Sequence, residues 1–226
     1  MLETTDTLAQ RTTTDIVFER LHREIVSLAL LPGTKLSEAE VARRFGVSRQ
    51  PVRDAFNRLG NLDLLLIRPQ RATEVRGFSM ERIARSRFVR LAVELEVIRR
   101  ACAVWDERRA EVVGQNLTAQ AAAIDGGQTE TFNALDHEFH TLICELGGCR
   151  LSIETIKDCK QKVDRLCTLS LGRASEAKTL LGDHRALAHA LRAKSVDDAT
   201  DITRAHLARL DDTIAEIQDT HSEYFE

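Results

Sequence analysis

Between Gly46 and Leu59 the sequence Gly-Val-Ser-Arg-Gln-Pro-Val-Arg-Asp-Ala-Phe-Asn-Arg-Leu prescribes a tight turn followed by a short helix with two unlike faces. Val52, Ala55, Phe56 and Leu59 stand at i, i+3, i+4 and i+7, the spacing of one apolar stripe on an amphipathic helix. Ser48 is placed to cap it, because a serine hydroxyl accepts a hydrogen bond from a free backbone N–H of the first turn. Arg49, Gln50, Arg53 and Asn57 fall off the stripe. They present long, polar, mostly cationic groups of the kind that bond to base edges and phosphates. Such a face suits a DNA reader, and it also suits an ordinary solvated helix.

The flanking sequence separates the two. Thr14 to Leu30 carries Val17, Leu21, Ile25 and Leu28 at helical spacing, and Leu31-Pro32-Gly33 ends that helix. Ser37 opens a second short helix whose inward side is Val41 and Phe45, and Gly46 supplies the turn into the third. Helix, glycine turn and helix form the helix-turn-helix pattern. Leu64–Ile67 and Thr73–Val75 then read as two short strands around Arg68-Pro69-Gln70-Arg71-Ala72, a hairpin with a basic tip able to lie along a groove. One helix-turn-helix match alone would equally describe a plain helical hairpin. Three helices, a basic helix and a basic hairpin within about 65 residues point together to DNA binding.

Charge is divided along the chain in the same sense. The net charge of −3 argues against a general polyanion binder. Yet residues 11–78 hold 12 Lys/Arg against 8 Asp/Glu, whereas residues 79–226 hold 20 against 25. A basic front and an acidic rear suggest two domains with different partners: a flexible arm over 1–13, a DNA-binding domain over 14–76 and a second domain over 79–220. With 43% hydrophobic and 30% charged residues the chain reads as a soluble globular protein, and no apolar run approaches the roughly 20 residues of a membrane span. The Thr-rich start lacks the apolar core of a secretory signal. Cys102, Cys144, Cys149, Cys159 and Cys167 are odd in number and form no C-x-x-C pair, so reduced thiols and a cytoplasmic location are expected.

The rear domain reads as an all-helical bundle of six or seven helices. Helical spans are expected at Ile83–Trp105, Arg109–Ala123, Thr131–Leu146, Ser152–Leu171, Ala177–Ala193 and Asp197–Gln218, with glycine pairs at 126–127 and 147–148 as breaks. Asp136 and His140, at i and i+4, share one face of the third of these, beside Phe132, Leu135, Phe139 and Ile143. His184 lies between Leu181 and Leu187, and His206 among Ile202, Leu210 and Ile217. Three imidazoles and a carboxylate aimed into one core are costly to bury unpaired, and a shared divalent cation would satisfy them together. Separate hydrogen bonds within the core would satisfy each one too, and periodicity alone does not choose.

In the front half, Leu36-Ser37-Glu38, Val41-Ala42 and Gly46-Val47-Ser48-Arg49-x-Pro51-Val52-Arg53-Asp54-Ala55, with Leu59, resemble the winged helix-turn-helix of the GntR family of bacterial transcription regulators. The resemblance covers nearly all of residues 14–76. It implies that Arg49 and Arg53, with Ser48, Gln50, Pro51 and Asn57, meet DNA from the recognition helix, and that Arg68, Gln70 and Arg71 reach it from the wing. The sequence departs from the family at Ala39, where an arginine is usual, and at Asp63 and Ala72, where glycine is usual; Asp tolerates the left-handed conformation such a turn can need.

The rear half resembles the FCD effector domain of the FadR-type subfamily. Metal-binding members carry Asp-x-x-x-His and then one His on each of two later helices, and Asp136, His140, His184 and His206 match that order. His22, His137, His189 and His221 match nothing. The resemblance also puts Arg90 and Glu94 on the Arg-x-x-x-Glu of the domain's first helix, where Arg90 could grip a carboxylate effector bidentately; Arg165 is a further candidate of that kind. An imidazole-rich set with one carboxylate suits Zn2+ first, with Ni2+ or Mn2+ as alternatives, over Mg2+ or Ca2+.

The expected function is a ligand-responsive regulator, a repressor, binding a palindromic operator as a homodimer and sensing a small organic or sugar acid at a metal-containing cavity. A metal-free organic-acid pocket is the alternative. A metal-dependent hydrolase is a distant third, since no general base or catalytic motif accompanies the ligands.

Overall fold

The computed structural model describes residues 11–163, 165–166 and 174–226. Residues 1–10 of the expected arm, Cys167 and the expected end of the fourth rear helix at Leu171 lie outside the described residues. The chain divides into two compact units, Met1–Phe78 and Ser79–Glu226. The fold is mainly α, with a small antiparallel sheet in the first unit.

In the first unit α1 spans Thr13–Val26. Thr12 starts it with a reciprocal cap: its hydroxyl accepts from Asp15 N at 3.1 Å, and Asp15 accepts from Thr12 N at 3.0 Å. Lys35–Leu36 forms β1, Glu38–Phe45 α2, Arg49–Asn61 α3, Leu65–Leu66 β2 and Thr73–Val75 β3. Gly46 ends α2 at φ +64°, the left-handed conformation that glycine adopts without steric cost. Val17, Leu21 and Ile25 of α1 close on Val52, Ala55, Phe56 and Leu59 of α3, all buried. At about 1.5–3 kcal/mol for each large aliphatic or aromatic side chain removed from water, this seam supplies most of the driving force for the unit.

The wing holds one strand more than the sequence suggested. The sheet order is β1-β3-β2, with Leu36 opposite Thr73 and Leu65 opposite Val75. A two-residue strand has no periodicity to read, so β1 is legible only once β3 is in place. Asp63 takes φ +59° before the wing, and Arg76 Nη1 donates to its carboxylate at 2.8 Å. At the tip the left-handed residue is Gln70, at φ +58°, rather than Ala72.

The second unit is built of helices, with α4 at Met80–Val104, α5 at Glu107–Asp125, α6 at Thr129–Leu146, α7 at Ile153–Gln161, α8 at Ala174–Arg192, α9 at Val196–Ala208 and α10 at Leu210–Thr220. Asp106 caps α5, accepting from Arg109 N at 2.9 Å. The single last helix expected from Asp197 to Gln218 is interrupted in its hydrogen-bond pattern at Arg209, a turn residue that keeps helical φ/ψ (−55°, −25°) between α9 and α10. The apolar spacing continues across that joint, which is why sequence reading runs them together. Helix α5 packs on α6 and α8, and α9 packs on α4 and α8. Trp105, Phe139, Ile98, Val113 and Leu191 lie in the buried core between them. Gly147, just after α6, allows close approach to α4: a Cβ there would lie 3.1 Å from the Ala101 Cβ. Among the described residues no helix is long and apolar enough to cross a membrane.

Candidate metal centre and nucleic-acid interface

Asp136, His140, His184 and His206 come together in the core of the second unit. All four are buried, and one potential ligand atom from each lies within 4.8 Å of the others. Two come from α6, one from α8 and one from α9. Phe139 stacks on His184 with ring centroids 4.2 Å apart and planes at 22°, fixing the ring's tilt.

Each imidazole has its Nδ1 engaged. His140 Nδ1 lies 2.9 Å from Glu94 Oε2, His184 Nδ1 2.9 Å from Gln120 Oε1, and His206 Nδ1 3.3 Å from Asp183 Oδ2. The His184 tautomer follows from a chain of forced donors. The Leu135 carbonyl can only accept, so Asn116 Nδ2 donates to it at 3.1 Å and turns its Oδ1 toward Gln120. Gln120 Nε2 donates to that oxygen at 2.7 Å, which turns Gln120 Oε1 toward His184. His184 Nδ1 therefore carries the proton and Nε2 the lone pair. That Nε2 is buried without a hydrogen-bond partner and faces Asp136 Oδ1 at 3.4 Å. Two lone pairs facing each other in a dry core repel unless a cation lies between them. With every Nδ1 occupied outward, the remaining ring nitrogens and Asp136 are a set of donors that could hold a metal ion.

Electrostatics agree. Burial pushes His184 well below the usual imidazole range, and burial likewise lowers His206 against the opposing pull of Asp183. Burial thus favours the neutral form of both rings, the form that binds metal. Burial opposes ionisation of Asp136, but the Lys160 ammonium against its Oδ2 outweighs it and keeps the carboxyl well below its usual range. Glu94 is held charged in the same way, burial being overcome by Arg90 and His140.

Arg90 stands beside the site. Its Nε donates to Glu94 at 2.6 Å, and its Nη2 lies 3.4 Å from His140 Nε2. Glu94 is turned onto His140 and Arg90 together. Arg165 is buried beyond α7, and that burial lowers its guanidinium to about 10. Sequence reasoning missed Asn116, Gln120, Lys160 and Asp183 behind the ligands. Asp183 sits next to His184 in the chain and could have been suspected; the other three carry no local signal. Arg209 in turn donates to Asp183 at 2.5 and 2.8 Å.

On α3, Ser48 occupies the N-cap position without a side-chain cap bond, and the same holds for Ser37 before α2. Ser48, Arg49, Gln50, Arg53 and Asn57 are exposed along one side, and Pro51 is half-buried in the first turn. Gln50 Nε2 donates to Asp54 at 3.0 Å, and Arg53 forms a fork with Glu38 of α2 at 3.0 and 3.2 Å. At the wing Arg68 donates to Glu74 at 3.0 Å, while Gln70 and Arg71 are exposed at the tip.

Comparison with known proteins agrees with both halves. The profile of the bacterial regulatory proteins of the gntR family matches residues 13–75, and the FCD domain profile matches residues 87–209. The HTH-type transcriptional repressor RspR of Escherichia coli K12 is 36% identical over 209 residues, covering 92% of each chain. A probable D-xylose utilization operon transcriptional repressor of Paenarthrobacter nicotinovorans is 30% identical over 137 residues, 61% of this chain and 60% of that one. The solved structure of E. coli McbR/YncC superposes with a TM-score of 0.73 at 19% identity, over 94% of this chain and 100% of that one, and so shares the fold. A putative GntR regulator from Rhodococcus sp. RHA1 gives 0.72 at 21% identity, over 90% and 97%. The two sequence relatives are both named as transcriptional repressors. A winged helix-turn-helix with an exposed basic helix, joined to an FCD domain, makes this chain a GntR-family transcriptional regulator.

Proposed function

We propose that the protein is a repressor that binds a palindromic operator as a homodimer, in the cytoplasm, and that its second domain senses a small carboxylate at a divalent-metal centre. The observation that carries this reading is the convergence of Asp136 with three imidazoles whose Nδ1 atoms are all engaged elsewhere. The donor set suits Zn2+ best, with Ni2+ and Mn2+ as the nearest alternatives. A bound ion would supply Lewis-acid attraction for an organic or sugar acid. Arg90 lies where a guanidinium can share that acid's charge, while Glu94 holds both Arg90 and His140 in place.

On the DNA side, Arg49, Gln50 and Arg53 are the base-edge readers, and Arg68, Gln70 and Arg71 contact the backbone or groove from the wing. One recognition helix reads a half-site, so a two-fold pair of chains reads a palindrome. The names of the two relatives favour repression. Elemental analysis of protein purified without chelators is the test. About one metal per chain, lost in His184→Ala and His206→Ala, is expected. A screen of organic and sugar acids should then find one that shifts operator affinity in the loaded protein but not in the variants. Protein that carries no metal, and takes up none, sinks the metal centre.

A further inference from the structure

Lys160 on α7 is buried, with its ammonium 2.7 Å from Asp136 Oδ2. Asp136 is the single carboxylate of the ligand set, so it is the group that would offset the charge of a divalent ion. Lys160 already offsets it. An ion drawn between Asp136 and the rings comes within one carboxylate's width of that ammonium, where the low dielectric leaves their repulsion poorly screened. The two carboxylates behind the ligands act in the opposite sense. Glu94 and Asp183 are anions on imidazole N–H groups, and such partners raise ligand basicity. Lys160 draws charge out of its carboxylate.

We propose that Lys160 is an affinity-setting residue, a resident cation that competes with the metal for Asp136. It steadies the ligand set while no ion is bound and keeps a bound ion exchangeable. This rests on the metal reading of the four-residue cluster. It differs from a purely supporting role for Lys160 in sign: a prop that merely orients Asp136 strengthens metal binding, whereas a competitor weakens it.

Zinc affinity of the full-length, metal-stripped protein, measured by competition with a chromophoric chelator, separates the two. Lys160→Met keeps the unbranched stem and removes the charge; Lys160→Arg keeps the charge. Lys160→Met is expected to bind Zn2+ at least about 10-fold more tightly than the parent, and to melt lower than the parent only when metal-free. Lys160→Arg should bind like the parent. Unchanged or weaker zinc binding by Lys160→Met overturns the inference. If Lys160→Met does not fold without metal, helix recovery on adding ZnCl2, followed by circular dichroism, supports the exchange of one cation for another, and no recovery overturns it. Zinc bound by the parent and lost in His184→Ala, with no tightening in Lys160→Met, refutes this inference alone. A parent that takes no zinc refutes the metal reading and this inference with it.

Discussion

Gln120→Leu is a sharp test of the centre, because it removes no ligand. Gln120 Oε1 accepts from His184 Nδ1 at 2.9 Å, and its amide is pinned by Asn116. Leucine has nearly the same volume and no acceptor. Its introduction strands the His184 N–H and the Asn116 carbonyl in the core, at about 1–3 kcal/mol for each unsatisfied group. It also frees the imidazole to move its proton to Nε2, where Asp136 Oδ1 at 3.4 Å can accept it. That tautomer has no lone pair on Nε2 to offer an ion in the cluster. Loss of such an outer partner typically weakens affinity about 10–100-fold, or about 1.4–2.7 kcal/mol. For a domain of this size, the melting-temperature gain on adding ZnCl2 should shrink by roughly 3–10 °C. Gln120→Glu restores an acceptor and should recover most of the gain. The assay is a pair of melts, with and without zinc, beside a chelator competition. Parental zinc affinity in Gln120→Leu would refute the tautomer argument, and with it the claim that these rings are preset for a metal.

Other outcomes follow from the same contacts. Arg49→Ala should cost about 1–3 kcal/mol of operator affinity and relax base preference at one position per half-site, measured by fluorescence anisotropy against single-base operator variants. Arg71→Ala should instead weaken all sequences alike and flatten the salt dependence, seen by titrating at several salt concentrations. Gly147→Ala should destabilise the second domain by about 1–3 kcal/mol in chemical denaturation, since the added methyl meets the Ile143 carbonyl and Ala101. Asp15 is held at about 2, against an ordinary 3.8, chiefly by the Thr12 hydroxyl and then by Arg58. Its stabilisation of the first domain is therefore full above about pH 4 and lost as the pH falls through 2. Asp15→Asn should melt lower than the parent at neutral pH, and the gap between their melting curves should close on acidification through that range.

The parts of this protein legible in its sequence are those encoded by neighbours along the chain. The stripe Val52–Leu59, the left-handed turn at Gly46 and the one-turn spacing of Asp136 and His140 are local facts, and the structure realises each of them. Asp63 illustrates a finer success: a residue that tolerates the left-handed region stands where that conformation occurs. What could not be read is long-range. Gln120 lies 64 residues from His184 and Lys160 lies 24 from Asp136, and glutamine or lysine on a helix is ordinarily a solvated residue. Their burial depends on which helices become neighbours, which no periodicity records. The interrupted hydrogen bonding at Arg209 was hidden for the opposite reason: apolar spacing persists through it, and the joint is marked by neither glycine nor proline.

The fork between Arg53 and Glu38 gives the exposed face of α3 an unusual economy of charge. An acceptor approaching Arg53 from outside meets a guanidinium already satisfied on one edge, so contact is an exchange of partners and not a simple addition. A lone phosphate, offering one charge and no matching shape, gains little from such an exchange. A paired acceptor held at the right angle gains more. Chromosomal DNA offers millions of the first kind for every one of the second, as an order-of-magnitude matter. On the proposed reading of Arg53 as a DNA contact, Glu38 would set a threshold that a better-shaped partner crosses more readily than a lone phosphate.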